Sequence, residues 1–135
     1  GIIPGGGTMY VKAAKQNNAF HNLHEDPSFQ AGIELVYESI LQPLCRIAEN
    51  AGYNPEEIKE NLLSAPETEE NKNYGFNAAT GKYVDMVKAG IIDPAMVARV
   101  ALENAVSVAG MILTTECVIV EDPKFIPQMQ ERRTR

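Results

Sequence analysis

The chain has 135 residues, 44% of them hydrophobic, which is enough for one compact domain with its own core. Its net charge of -6 argues against a nucleic-acid partner, because an acidic surface repels phosphate backbones. No apolar run approaches the roughly 18 residues that a bilayer span needs, so we expect no membrane partner.

The first two predicted helices follow a glycine-rich start. A short helix over 8–16 comes after Gly5-Gly6-Gly7, and the polar stretch 17–25 indicates a loop. Asp26-Pro27 begins a long helix, because Asp caps free N–H groups and Pro at the first helical position loses no hydrogen bond. Gly52 is expected to end this helix, and Pro43 inside it predicts a kink.

Two more helices and a strand are predicted further along. Asn54-Pro55 begins a helix that extends to about Leu63, and the acidic stretch 64–73 is a loop. Asp93-Pro94 begins the last helix. Its buried side is expected to contain Met96, Val97, Val100, Ala101, Val108, Ala109, Ile112 and Leu113. Cys117–Val120 predicts a short strand whose partner lies outside this chain, because four residues do not form a stable sheet alone. The expected fold is mainly α, a helical bundle.

Two segments, Tyr74–Gly81 and Gly90–Pro94, contain the candidate ligand-binding residues. They offer an amide, small apolar side chains and a carboxylate, a set that suits the base and sugar of a nucleotide. The triple glycine can supply the close backbone approach, at a helix N-terminus, that such a ligand also needs. The sequence 1–8 is not a standard phosphate loop, because Gly7 stands where the Walker lysine belongs.

Each of these features also has a purely structural interpretation. The glycines can form a simple turn before a helix, Asp93 can be an N-cap, and Asn77 can stabilise a turn. One carboxylate can cap a helix and still accept a hydrogen bond from a ribose hydroxyl. From the residues alone, both interpretations stay open.

The remaining reactive side chains do not suggest a catalytic centre. His21 and His24 have the spacing of metal ligands, but they lie in a loop without nearby Cys, so we expect no metal site. Cys45 and Cys117 lie on apolar faces, which favours reduced, buried thiols. No nucleophile and base are paired, and no catalytic residue is assigned.

The motifs taken together are more specific than any one of them. Gly5-Gly6-Gly7, Tyr74–Gly81, Gly90–Pro94 and Ser107–Cys117 resemble, in order and spacing, the C-terminal part of a group I chaperonin of the GroEL type. The resemblance covers residues 1–123 and implies the second, C-terminal half of an equatorial ATP-binding domain. Residues 124–135 lack the Gly-Met repeats of many members and are expected to form a flexible tail.

The resemblance implies a nucleotide-binding role for seven residues. It places Gly5 and Gly6 against the nucleotide, Asn77, Ala78 and Ala79 around the adenine, Ile91 beneath the base and Asp93 on the ribose hydroxyls. The ligand would be ATP with Mg²⁺. The metal ligands, the phosphate loop and the catalytic aspartate would lie in another part of the polypeptide, so this chain alone is not expected to hydrolyse ATP.

The resemblance also implies the partners. These are identical subunits in a ring, which is heptameric in this family, a co-chaperonin lid, and unfolded proteins held by an apical domain outside this chain. The strand at 117–120 would pair with a neighbouring subunit. Cys45 replaces an arginine common in the family, which places the usual ring-to-ring ion pair in doubt. The expected location is the cytoplasm, with an organelle matrix or a phage-infected bacterial cytoplasm as alternatives. A helical scaffold module without a nucleotide role is the competing hypothesis.

Overall fold

The computed structural model describes residues 1–17 and 26–120 and confirms a mainly helical fold. The elements in chain order are β1 (Ile2–Pro4), α1 (Thr8–Asn17), α2 (Pro27–Asn50), α3 (Pro55–Ser64), β2 (Tyr74–Asn77), β3 (Lys82–Asp85), β4 (Ile92–Pro94) and α4 (Ala95–Leu113). The predicted loop 17–25 begins one residue too early, because Asn17 is the last residue of α1. The rest of it, with His21 and His24, lies outside the described residues. The same holds for the predicted tail over 124–135.

Local capping signals place α2 where the sequence predicts it. The Asp26 carboxylate accepts a hydrogen bond from the Ser28 backbone N–H at 2.8 Å, which satisfies one free donor at the helix start. At the other end Gly52 has φ +83°, and the N–H groups of Gly52 and Tyr53 donate to the carbonyls of Glu49 and Ala48. This is a Schellman motif, and it ends the helix as the glycine predicts. The helix continues through Pro43 to Asn50.

The same type of signal places α3. The Asn54 side chain accepts a hydrogen bond from the Glu56 backbone N–H at 3.1 Å, and Pro55 occupies the first turn. The predicted start at Asn54-Pro55 is confirmed, and the helix ends at Ser64. Only four residues separate α2 from α3, so the two helices pack as neighbours.

The core is formed by α1, α2, α3 and β2. Its fully buried members are Val11, Ala14, Leu41, Leu44, Ala48, Ile58, Leu62 and Phe76. The turn before α1 lies close to α2 at Gly7, where an added methyl group would lie 2.7 Å from the Leu44 backbone nitrogen. A glycine with φ +78° therefore allows the turn before α1 to rest directly on α2.

Two small antiparallel sheets were not predicted from the sequence. Strands β2 and β3 form a hairpin in which Tyr74 pairs with Asp85 and Asn77 pairs with Lys82. Strand β1 pairs with β4, which places Ile3 opposite Asp93. The second pairing joins the chain start to a segment 90 residues later, and it corrects the expectation that Asp93-Pro94 begins a helix. Asp93 and Pro94 belong to β4, and α4 starts at Ala95.

The chain divides into two compact units, Gly1–Arg99 and a second that begins at Val100. The predicted buried side of α4 is not buried in the described chain. Its exposed residues include Met96, Val97, Val108, Ile112 and Leu113, between 53% and 80% exposed. The periodicity identified the helix correctly, but the expected burial is wrong for the described chain, because periodicity alone does not supply an element that covers the apolar residues.

Helix α4 also corrects an expectation about length. It has 19 residues and a mean hydropathy of 1.5, and none of its most apolar stretch is buried. By length and composition it is therefore long and apolar enough to cross a membrane. The statement that no apolar run approaches a bilayer span is therefore wrong. Length and composition do not separate a membrane span from a helix that packs on another protein surface.

The segment after α4 forms no strand within the described residues. Val118, Ile119 and Val120 are 74–95% exposed. Pairing outside this chain therefore stays a prediction. Cys117 is exposed rather than buried, which is a correction, whereas Cys45 is buried as expected. Burial raises the pKa of the Cys45 thiol above its ordinary value.

Candidate nucleotide site

The β1–β4 pairing brings the triple glycine and Asp93 together. The Gly5 N–H donates to the Ile91 carbonyl at 3.0 Å, immediately beyond the paired strands. A methyl group added at Gly5 would lie 3.2 Å from both Cγ and Oδ2 of Asp93. The carboxylate therefore lies directly against a backbone that has no side chain, which is the arrangement the nucleotide hypothesis requires.

Gly6 lies between the hairpin and Ile91. Its φ is +64°, and a methyl group there would lie 3.0 Å from Met86 Cε, 3.9 Å from the Phe76 carbonyl and 4.0 Å from Ile91 Cγ2. The N–H groups of Gly6 and Gly7 make no backbone hydrogen bond within the described chain. They are free donors at the start of α1, where oxygen atoms of an anionic ligand are stabilised.

The Asp93 carboxylate has no helix-capping role. Its backbone belongs to β4, and the first N–H of α4, that of Ala95, donates to the Gly1 carbonyl at 3.0 Å. In the described part of the chain the exposed carboxylate accepts no hydrogen bond. The N-cap interpretation is therefore wrong, and both carboxylate oxygens remain available to hydroxyl donors.

Asn77 does stabilise a turn. Its side-chain oxygen accepts a hydrogen bond from the Ala79 N–H at 3.0 Å, and its carbonyl accepts from the N–H groups of Thr80 and Gly81. Ala78 packs against the core, and Ala79 is exposed. The side-chain oxygen of Asn77 is thus engaged in the turn, which leaves its NH₂ group as the part that can donate to a base.

The structure brings four of the seven candidates into one place. Gly5, Gly6, Ile91 and Asp93 adjoin one another, and the carbonyl of Phe76, the residue before Asn77, lies near Gly6. Neither Ala78 nor Ala79 is among the nearest neighbours of the three glycines in the described chain. These two alanines belong to the turn that Asn77 organises, beyond the end of β2.

Sequence reasoning missed Met86, which supports the floor of this region. Met86 is completely buried, its N–H donates to the Asn73 carbonyl and its carbonyl accepts from the Ile91 N–H, both at 2.8 Å. Its side chain touches Gly6 and also Gly75, so it joins the hairpin to the glycine turn. Alternation along Lys82–Asp85 is the only signal in the sequence that would have suggested this burial.

Two lysines of α1 hold the loop that leads into the hairpin. Lys12 Nζ donates to the Asn71 carbonyl at 3.1 Å, and Lys15 Nζ donates to the Ala65 carbonyl at 2.5 Å. The Asn71 carbonyl also accepts from the Tyr74 N–H, at the first residue of β2. Partial burial lowers the pKa of Lys12 below its ordinary value. The acidic loop is therefore ordered by contacts with α1.

Two cavities adjoin this loop, and neither contains a candidate residue. The smaller measures about 20 Å³ and is lined in part by Thr8, Lys12 and Tyr74. It has room for one water but not for a nucleotide. The larger is an open groove of about 400 Å³ along Lys12, Gln16 and residues 67–72. Thr8 itself is buried, and its hydroxyl oxygen has no hydrogen-bond partner in the described chain.

The donor set around Gly5 fits a nucleotide better than a metal ion. Across the described residues, no three or more His, Cys, Asp or Glu side chains are grouped closely enough to hold a cation. One free carboxylate, two free N–H groups and an apolar Ile91 match hydroxyls, anionic oxygens and a flat base respectively. A bare backbone at Gly5 also leaves room where any larger residue would fill the space.

Comparisons with known proteins show the family and the fold of this chain. Residues 1–123 match the model of the TCP-1/cpn60 chaperonin family. The chain is also similar to a solved structure described as the open-state monomer of a group II chaperonin from Methanococcoides burtonii, at 28% sequence identity and a TM-score of 0.74. The similarity covers 84% of this chain and 28% of that one, so the chain spans little more than a quarter of its relative.

Proposed function

Because this chain belongs to the TCP-1/cpn60 chaperonin family, we propose that it is the C-terminal part of the equatorial domain of an ATP-dependent chaperonin that assists protein folding. We assign it to the group I type on the order and spacing of its four motifs. The solved relative is a group II protein, and the subunit number of the ring tests this assignment.

The observation that carries the proposal is the position of Asp93 against Gly5. A pairing of two three-residue strands, 90 residues apart in sequence, places an unpartnered carboxylate against a glycine backbone. A carboxylate without a protein donor is suited to accept hydrogen bonds from neighbouring hydroxyls, and the two hydroxyls of ribose are such a pair.

In this proposal the chain supplies the adenine and ribose wall of an ATP site. Asp93 accepts from the ribose hydroxyls, Ile91 lies against the base, and Asn77, with Ala78 and Ala79, borders its edge. Gly5 and Gly6 allow close approach. ATP would carry Mg²⁺, and the groups that bind the metal and cleave the phosphate would come from the rest of the polypeptide. The whole protein would then be an ATPase, and this chain binds without catalysing.

The exposed surfaces support the proposed assembly. The apolar face of α4 and the exposed segment Cys117–Val120 suit contacts with the rest of the polypeptide and with a neighbouring subunit. We propose a homo-oligomeric, heptameric ring in the cytoplasm that works with a co-chaperonin lid and binds unfolded proteins through an apical domain. No nucleic-acid or membrane partner is part of this proposal.

The test is Asp93→Ala in the full-length protein, with nucleotide affinity measured by calorimetry and stability by thermal unfolding. We expect ATP affinity to fall about tenfold or more, because a hydrogen bond to a charged group contributes about 1.5–3 kcal/mol. The unfolding temperature should change little, because the carboxylate has no partner in the described chain. Asp26→Ala is the matched control, since it removes a helix cap and should lower stability without changing affinity. Unchanged ATP affinity in Asp93→Ala would refute the proposed role.

The competing hypothesis is a helical scaffold module without a nucleotide role. The uncovered apolar face of α4 is compatible with it, because that face suits any protein partner. The size of the full-length protein in solution separates the two hypotheses. A closed ring supports the chaperonin proposal, and a monomer contradicts it.

A further inference from the structure

Tyr10 joins the start of α1 to the first turn of α4. Its hydroxyl donates to the Ala98 carbonyl at 2.8 Å, in a partly buried contact between residues 88 positions apart. This is a good distance for an O–H···O hydrogen bond. Tyr10 lies three residues after the triple glycine, and Ala98 lies five residues after Asp93, so one hydrogen bond connects the helices that follow the two parts of the candidate site.

Asp93 depends on its backbone for its position. Its side chain is exposed and makes no hydrogen bond in the described chain, so no protein donor orients the carboxylate. The strands that support it have only three residues each, and a two-stranded ladder of that length is marginal by itself. Additional ties on both sides of Asp93 are therefore needed to hold it against Gly5.

Two backbone hydrogen bonds and one side-chain bond supply these ties. Before Asp93, the Ile91 carbonyl accepts from the Gly5 N–H. After it, the Ala95 N–H donates to the Gly1 carbonyl. Tyr10 is the side chain that adds a third tie, at Ala98, and it fixes the first turn of α4 relative to the helix that begins at the glycines.

We infer that Tyr10 is a positioning residue for ribose recognition, acting through the α4 start on the distance between Asp93 and Gly5. The inference rests on the proposed function, because it needs Asp93 to bind the ribose. Loss of the Tyr10 hydroxyl leaves the backbone of 92–98 held by the short strands and the two backbone hydrogen bonds, with no tie to α1 at the first turn of α4. Asp93 then samples positions in which its two oxygens no longer meet both hydroxyls.

The test is Tyr10→Phe in the full-length protein, a change that removes one oxygen and keeps the packing of the ring. The readout is the ratio of affinities for ATP and 2′-deoxy-ATP, which reports on the ribose contact and not on general stability. We expect this ratio to fall roughly two- to tenfold, the range for the loss of one hydrogen bond. Tyr83→Phe is the matched control, because the Tyr83 hydroxyl accepts a bond from the Asn61 amide, outside the candidate site. Its ratio should stay at the wild-type value.

Asp93→Ala in the same assay separates the two levels of inference. If Asp93→Ala abolishes ribose selectivity while Tyr10→Phe keeps the wild-type ratio, Tyr10 is only a structural anchor and this inference is overturned. If Asp93→Ala itself leaves ATP affinity and selectivity unchanged, the proposed function fails first. An equal fall of the affinity ratio in Tyr10→Phe and Tyr83→Phe would also overturn the inference, because loss of either hydroxyl would then weaken ribose selectivity to the same extent.

Discussion

Replacing Gly7 with alanine should loosen the packing of α1 on α2 by a predictable amount. The added methyl group would lie 2.7 Å from the Leu44 backbone nitrogen and 2.9 Å from its Cα, and helix backbone does not move aside cheaply. The residue would also hold φ near +78°, which costs a side-chain-bearing residue roughly 1–2 kcal/mol. Overpacking of this kind adds about 1–3 kcal/mol.

The loss of backbone freedom in the unfolded chain offsets about 0.4–1 kcal/mol of this cost. The net loss of stability is therefore about 1–4.6 kcal/mol. Amide hydrogen exchange of the full-length protein measures it locally, and peptides from α1 and α2 should exchange roughly 5- to 2,000-fold faster than in the wild type.

Gly52→Ala provides the matched control. Gly52 has φ +83°, nearly the same as Gly7, but a methyl group there meets nothing within 4 Å. It should carry the backbone cost without the steric cost, so its effect should be about 1–3 kcal/mol smaller than that of Gly7→Ala. Equal effects of the two substitutions would show that the close approach to Leu44 is not what requires glycine at position 7.

Three further predictions concern capping, acid titration and a buried hydroxyl. Asn54→Ala should lower unfolding stability by about 1 kcal/mol in a urea titration, and Asn54→Gly by only a few tenths; equal losses would contradict the side-chain cap. The Lys88 backbone N–H donates to the Asp85 carboxylate and holds the pKa of Asp85 below its ordinary value of 3.8. This hydrogen bond therefore stabilises the fold above pH 3.8, and the stabilisation is lost as the pH falls through the lower pKa of the folded state. A midpoint above 3.8 for the Lys88 amide in an NMR titration would contradict this. Thr8→Val should lower the unfolding temperature if the adjacent cavity of about 20 Å³ holds a water bound to the Thr8 hydroxyl, and a raised temperature would show that the hydroxyl is unpaired.

The helices could be predicted because their signals are local. The side chains of Asp26 and Asn54 accept hydrogen bonds from N–H groups two residues later. The Gly52 N–H donates to a carbonyl in the last turn of the helix that it ends. Each signal needs only the next few residues, so no tertiary information is required. The buried residues of α2 recur with the 3.6-residue period of an α-helix, which is also a local signal.

The β1–β4 sheet could not be predicted by such reasoning. Asp93-Pro94 has the composition of a helix start, and only pairing with residues 2–4 shows that it is a strand. The partner lies 90 residues away, and three-residue strands leave no alternating pattern to detect. The consequence is functional, because this pairing frees the Asp93 carboxylate from capping.

The hairpin was missed for a different reason. Residues 74–85 contain aromatic alternation and a glycine at φ +68°, Gly81, which together are compatible with two strands and a turn. The four-residue turn lacks the Asn-Gly or Asp-Gly pair that marks the shortest hairpins.

The face of α4 shows what periodicity leaves undetermined. Period identifies which residues share a side of the helix, and the exposed Val97, Val108 and Ile112 share one, because spacings of 11 and 4 residues return to the same side of a helix. It does not identify what covers that side. Burial can be predicted only when the covering element is known.

Photolabelling of the full-length protein tests the central proposal most directly. An ATP analogue with a photoreactive azide on the adenine should label peptides that contain Asn77–Ala79 or Ile91, and excess ATP should prevent the labelling. That result would place the base against this chain. Labelling confined to other parts of the polypeptide, with these peptides unmodified at saturating analogue, would contradict the claim that this chain forms the adenine wall.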